Sequence, residues 1–407
     1  MGKSISIVGG GISGIIAALE LEKAGYAPTI YESTDRLGGR VKSDYIDNYP
    51  YDHGFQVLLT TYPEAKRYLD YDKLNLQYFL SGSRVVEQGK TVRIGDPLSS
   101  AIFWLDVFDP TLSTIGDKLK TLSLSLKLKK KADDQIFQEK ESTTLDYLIE
   151  KGFSDRIIYK FFRPFFGGIF LETELRTSSR FFEFLFKMFA NGHSVIPSDG
   201  MQKITDQLVA QLKNTDIKTN TKISSIESKL LTLDDGSTIA TDKIIIATDA
   251  HQFNLSKKPV EWKRSINYYF QVDKAVYSDK LITLIADDDR LINNYYYPTN
   301  LIPHPENKTI LSATVVNDKG LNDKQLLEQA TQQLLSMSVA TKNIKLITSY
   351  DIPHSLPEVK NISYTLSPDK IKIAPNIYNC GDHLSMGSLN AAMSTGRYVA
   401  EMIIKEN

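Results

Sequence analysis

The chain has a single cysteine, Cys380, in 407 residues. That excludes an internal disulfide and suits a reducing compartment. Lysine plus arginine (48) nearly cancels aspartate plus glutamate (49), so no overall field argues for nucleic acid or an acidic partner. The six histidines (His53, His193, His251, His304, His354, His383) show no ligand spacing, and there is no Cys/His cluster. No metal site is expected. No apolar run approaches the ~18–20 residues of a membrane span. No nucleophile–base triad is visible either, so no catalytic side chain is nominated. Neither internal repeats nor low-complexity segments appear, and the length suggests two or three domains with room for large cores.

The informative feature is Gly9-x-Gly11-x-x-Gly14. It follows a short apolar strand, Ser4–Val8, and opens an amphipathic stretch, Ile15–Ala24. A second strand, Thr29–Tyr31, ends at Glu32. Strand, glycine turn, helix, strand and acid in that order make a dinucleotide site. The glycines allow close backbone approach to a pyrophosphate, and the helix N-terminus offers unpaired N–H groups to it. Glu32 is placed to accept hydrogen bonds from a ribose. The motif begins so early that no signal peptide is expected ahead of it; a cytoplasmic protein is expected, at most peripheral to a membrane.

After Glu32 comes Arg36-Leu37-Gly38-Gly39-Arg40, two glycines bracketed by guanidinium groups that suit a pyrophosphate. Here the chain resembles the FAD-dependent amine oxidase and phytoene desaturase superfamily, whose second signature is the acid followed by Gly-Gly-Arg. The resemblance implies an α/β fold: a discontinuous Rossmann-like FAD domain of the glutathione reductase kind, over 1–80, 197–255 and 351–407. An α+β substrate domain would take 81–196 and 256–350. Within the FAD domain the sequence suggests a helix at 204–212, a strand at 222–226, a hairpin at Asp235-Gly236 and a buried run at 244–249. Strand-like runs at 265–272, 281–286, 309–316 and 345–350, with a helix at 323–337, fall in the substrate domain.

The C-terminal segment Ile377–Cys380, Gly381-Asp382 and a helix from Ser388 to Ile404 matches the superfamily's closing motif. By that resemblance Asp382 meets ribityl and phosphate oxygens, and the N–H groups of Leu389 and Asn390 face the flavin's pyrimidine edge. A helix dipole there favours the reduced anion. Non-covalent FAD is therefore expected on Gly9, Gly11, Ile12, Ser13, Gly14, Glu32, Ser33, Gly38, Gly39, Arg40, Gly54, Phe55, Gln56, Gly381, Asp382, Ser388, Leu389 and Asn390, with a backbone contact from Ile223 to the adenine. Cys380 reads as a buried strand residue rather than a flavin attachment point.

Asp52-His53-Gly54-Phe55-Gln56 with Tyr62-Pro63, and Ser388-Leu389-Asn390-Ala391-Ala392, resemble the carotene desaturases more than the amine oxidases. The latter have a second glycine in place of Phe55 and an aromatic-cage tyrosine in place of Ser388; losing that ring counts against a cationic substrate. Ten of the eighteen phenylalanines fall between Lys160 and Phe189, which suits either a hydrophobic core or the lining for a long apolar substrate. Arg163 among them reads as a structural ion pair or a ligand anchor, and one ring of Tyr295-Tyr296-Tyr297 is a candidate to face a pocket. Ala101-Ile102-Phe103-Trp104-Leu105 and Lys118–Lys131 combine apolar residues with lysines, as a solvated helix or a membrane-surface helix does. The expectation is an FAD oxidoreductase of desaturase type. It takes a hydride from a small hydrophobic, isoprenoid- or polyene-like substrate and is reoxidised by quinone or O2. Amine oxidation, protoporphyrinogen-type oxidation, redox-neutral polyene isomerisation and simple FAD or lipid binding stay open, as does the oligomeric state.

Overall fold

The computed structural model describes residues 3–95, 101–103, 109–337 and 343–406. Trp104 and Leu105, from the first apolar-and-lysine run above, lie outside them.

Strands Ile5–Val8 and Lys243–Ile246 are buried at every position, as parallel strands covered on both faces must be. They pair with each other and lie at the centre of a six-stranded sheet. Its order is Asp216–Lys218, Thr29–Tyr31, Ile5–Val8, Lys243–Ile246, Ile377–Asn379 and Lys372–Ala374; only the last strand is antiparallel. Alternation sends Ile7 and Ile245 to one face and Val8, Ile244 and Ile246 to the other. The first face carries the helix Ile12–Lys23 side by side with the closing helix Leu389–Lys405. A three-stranded sheet, Ile223–Glu227, Leu230–Leu233 and Thr238–Ala240, covers the second, with Ile223 and Leu231 packed against Val8 and Tyr31. The first helix starts at Ile12 with Gly11 as its N-cap, three residues earlier than the expected Ile15. Gly14 sits inside its first turn, because a Cβ there would run into the Gly9 carbonyl and press on Ala247 Cβ at 3.2 Å.

A seven-stranded sheet forms the second layer system, in the order Ile344–Pro357, Trp262–Val272, Thr309–Val315, Ile292–Tyr296, Ile282–Ile285, Gly82–Glu87 and Lys90–Gly95. The helix Asp323–Ser336 lays Leu326, Ala330 and Leu334 against Tyr268, Phe270, Tyr295 and Tyr297 on one face. The first strand of this order runs to Pro357, well past the expected Tyr350. It is an edge strand, where Pro353 withholds no ladder hydrogen bond.

Helices Ile115–Lys130, Asp133–Gln138, Thr144–Glu150, Arg163–Phe170 and Ser179–Asn191 make a third block. Phe162, Phe166, Phe170, Phe181, Phe182 and Phe184 are buried at its centre, and Phe182 contacts Phe162, Phe166, Phe186 and Tyr147. These rings form core; Phe161, Phe165, Phe186 and Phe189 are only partly covered.

Candidate cofactor and active site

The two glycine loops meet face to face. Gly38 N donates to the Gly10 carbonyl at 2.9 Å, and a Cβ on Gly39 would stand 3.1 Å from the Gly11 Cα. No side chain can enter between them, and the opening is lined by backbone at the N-terminus of the Ile12–Lys23 helix. That is an anion-binding cradle. Ile12 and Ser13 open this helix, and the buried Glu32 closes the far side of the loop. Its Oε2 accepts Gly10 N (2.8 Å) and its Oε1 accepts Thr34 N (2.9 Å) and Ser33 Oγ (3.3 Å). Ile223 lies beyond Glu32, buried against Tyr31.

The two arginines separate in role. Arg36 is held by Asp44 (2.5 Å) and the Ser43 carbonyl (3.1 Å). Arg40 turns across the molecule to Asp382, a bidentate pair at 2.5 and 3.0 Å, and to the Ser355 carbonyl at 3.2 Å. The Trp262 ring lies 5.0 Å from its guanidinium. Gln56 Nε2 donates to the Arg40 carbonyl (2.8 Å) and to the His53 carbonyl (2.9 Å), which fixes the loop carrying Gly54 and Phe55. A sequence reading alone misses Ser355, Trp262 and His383. Ser355 sits where the edge strand slips register, between the Lys263 and Ser265 pairings; no sequence signal marks it. Trp262 is one of only two tryptophans, which was the available hint.

Asp382 is buried, and Gly381 N donates to Thr395 Oγ1 at 3.0 Å. His383 Nε2 is buried without a protein partner among the described residues. Burial holds that imidazole below its ordinary pKa despite Asp382 and Asp249 nearby, so it is neutral and has a ring nitrogen to offer a ligand. Ser388 caps the closing helix, its Oγ accepting Ala391 N at 3.1 Å while its carbonyl takes Ala392 N. The helix therefore supplies no acceptor for the first two N–H groups, those of Leu389 and Asn390. The Asn390 side chain serves elsewhere, accepting Glu64 N at 3.0 Å. Cys380 is fully buried and its thiol is pushed up to about 12 by burial, as an inert core thiol is.

Beside Gly54, Phe55 meets Tyr296 (ring centroids 5.2 Å) and Phe79 (6.4 Å). Strand alternation explains the choice of ring: Tyr295 and Tyr297 point to the other face, while Tyr296 faces Phe55. Phe55 and Tyr296 are in contact and tilted by 56°, so no slot for a cation lies between parallel ring faces. Arg163 is no anchor for a ligand: Nε donates to the Thr173 carbonyl (2.6 Å), and the guanidinium pairs with Asp288 (2.7 Å) and Glu174 (3.4 Å).

The residues present fit FAD. A side-chain-free loop at a helix N-terminus, a buried acid at the end of the second strand, the Arg40–Asp382 pair, a His383 nitrogen without a partner among the described residues and a second open helix N-terminus are contributed by four separate stretches of chain. Comparison with known proteins agrees. The family model described as flavin containing amine oxidoreductase matches residues 12–404. Among curated proteins, 4,4'-diaponeurosporene oxygenase of Staphylococcus aureus is 30% identical over 91 residues, 22% of this chain and 18% of that protein. Polyamine oxidase 5 of Oryza sativa subsp. japonica is 53% identical over 51 residues, 12% of this chain and 10% of that protein. These matches thus span less than a fifth of either relative. Among solved structures, a putative protoporphyrinogen oxidase from Exiguobacterium sp. 255-15 superposes with TM-score 0.73 at 20% identity, covering 100% of both chains. A reduced UDP-galactopyranose mutase gives 0.70 at 14% identity, over 100% of this chain and 96% of that one.

Proposed function

The chain belongs to the flavin-containing amine oxidoreductases and is an FAD-dependent oxidoreductase, and from that premise we propose that it desaturates a hydrophobic, isoprenoid- or polyene-like substrate. When bound, FAD supplies the two-electron acceptor at N5. The substrate gives up a hydride from one carbon and a proton from its neighbour, forming a carbon–carbon double bond; the proton passes to solvent, and the two electrons, taken up with two protons, convert a quinone to quinol or O2 to hydrogen peroxide.

The observation that carries this reading is the wall beside Gly54. Phe55 is partly exposed there and is backed by the buried rings of Phe79 and Tyr296, an uncharged face that suits recognition of an apolar chain by contact. Tyr296 is deeply buried and its phenol is held far above its usual pKa by burial, so it stays neutral there. An ammonium substrate would instead call for two ring faces with a gap between them, and Phe55 and Tyr296 close on each other. The chain's own residues would hold the cofactor: the loop at Gly9–Gly14 and Gly38-Gly39 for the pyrophosphate, Glu32 for the ribose, Arg40 and Asp382 for the phosphate and ribityl oxygens. The Leu389 and Asn390 N–H groups would favour negative charge at the pyrimidine edge. Incubation of the flavin-loaded protein with long isoprenoids and a quinone tests the reading by mass spectrometry. It predicts a product lighter by two hydrogens; unchanged isoprenoid beside oxidised amine or porphyrin would overturn it.

A further inference from the structure

The helix Ile115–Lys130 carries two apolar stripes on opposite sides, and only one of them is used inside the protein. Leu124 and Leu128 are buried against the core, with the helix packed on Ser179–Asn191. Ile115, Leu119, Leu122 and Leu126 are 78%, 62%, 54% and 52% exposed. Their spacing of i, i+4, i+7 and i+11 puts them on one face, and at 100° per residue that face is opposite Leu124 and Leu128. An exposed stripe of this kind across about three helical turns is not scattered surface leucine.

The charges on the helix have one sign toward solvent. Lys120, Lys127, Lys129 and Lys130 are exposed, and the same helical geometry sets Lys129 and Lys130 on the two flanks of the apolar stripe. The helix's one acidic residue, Asp117, is buried beneath it. Burial raises its pKa, but hydrogen bonds from Ser154 and Thr114 outweigh this and lower it to about 2. Its charge is thus spent inward, on Ser154 Oγ (2.6 Å) and Thr114 Oγ1 (2.7 Å). A capping box at Thr114 and Asp117 fixes the start of the helix, so the stripe is presented on a rigid element.

We propose that this face docks on an anionic lipid bilayer, with Ile115, Leu119, Leu122 and Leu126 in the acyl boundary and the flanking lysines at the headgroups. Apolar ridge, cationic flanks and orientation parallel to the protein surface are the requirements of an interfacial helix, and the charge sign selects the anionic surface. Each lysine near such a surface adds about 1 kcal/mol, so three together multiply partitioning on the order of 100-fold.

The test is co-flotation of the flavin-loaded protein with vesicles of phosphatidylcholine containing phosphatidylglycerol, against phosphatidylcholine alone. Binding is expected only to the former, weakened by salt. Lys127→Glu/Lys129→Glu/Lys130→Glu should lose it by a factor on the order of 100 or more, and Leu119→Ser/Leu122→Ser/Leu126→Ser should abolish it with flavin content unchanged. Leu122→Trp, which leaves the stripe apolar, should shift its fluorescence to the blue on the anionic vesicles. No flotation of the native protein, equal flotation of the serine variant, or burial of the Leu122→Trp ring by self-association without lipid would overturn the proposal. Flavin content is read separately, so a failure here leaves the oxidoreductase reading standing.

Discussion

Reversal of charge at Arg40 tests the cofactor site most sharply. The Asp382 side chain is 5% exposed and its ion-pair partner Arg40 is 37% exposed. Removing one partner of a fully buried pair costs ~3–5 kcal/mol, because the other charge is left alone in a poor solvent. Arg40 is partly wet, so water screens the interaction and about 2–3 kcal/mol is the better figure. Arg40→Glu adds like-charge repulsion to that. If the guanidinium also meets phosphate oxygens, flavin affinity falls by at least ~30–100-fold, and the protein purifies colourless. Fluorescence quenching during FAD reconstitution measures the affinity, and thermal melting reports the fold. The double variant Arg40→Glu/Asp382→Arg separates two roles. Restoring an ion pair should recover melting but not flavin, since the positive charge now stands at the wrong position. A yellow, fully loaded Arg40→Glu protein would refute the argument, and full flavin recovery in the double variant would show that only the pair matters.

Three further outcomes follow from the same geometry. Phe182→Ala should lower stability by ~3–5 kcal/mol in denaturant unfolding, because its ring contacts four other aromatics in the core; a stable variant with altered substrate preference would place it in a lining instead. Arg163→Met should cost no more than about 1 kcal/mol and leave substrate oxidation intact, since its partner Asp288 is 87% exposed; loss of turnover would restore it as an anchor. Asp52 is pushed up to about 6 by burial, which outweighs the hydrogen bonds from Ser43 and Met201. A raised folded value means the native state holds its proton more tightly. The contribution of Asp52 to stability is therefore fully present below about pH 3.8 and is lost as pH rises to about 6, by on the order of 2–3 kcal/mol. Asp52→Asn should flatten that window in melting curves recorded across it; an unchanged slope would contradict the assignment.

Much of the dinucleotide half was legible because its constraints are local. Gly9, Gly11 and Gly14 are set by close backbone approach, and Glu32 by its place at a strand end, so spacing alone reveals them. The first helix starts three residues before its sequence pattern suggests, because a glycine next to a strand reads as turn, whereas Gly11 is the cap. The edge strand Asp216–Lys218 is only three residues long with a single apolar side chain, Ile217, too short for its alternation to stand out. Pro353 and Ser355 hid the end of the Ile344–Pro357 strand, and with it the carbonyl that holds Arg40. The phenylalanine-rich segment was ambiguous for a physical reason: area favours a core and an apolar pocket alike. Contacts, which composition does not contain, assign Phe162, Phe166, Phe170, Phe181, Phe182 and Phe184 to core. Arg163 was ambiguous likewise until Thr173, Glu174 and Asp288 claimed it.

Anaerobic mixing of the flavin-loaded protein with single candidate substrates, followed by flavin absorbance, addresses the central claim directly. Long isoprenoids should bleach the flavin while primary amines, polyamines and reduced porphyrins leave it yellow. Bleaching by amines or porphyrin with isoprenoids inert would contradict the account, and a flavin reduced only by chemical reductants would point to redox-neutral chemistry instead.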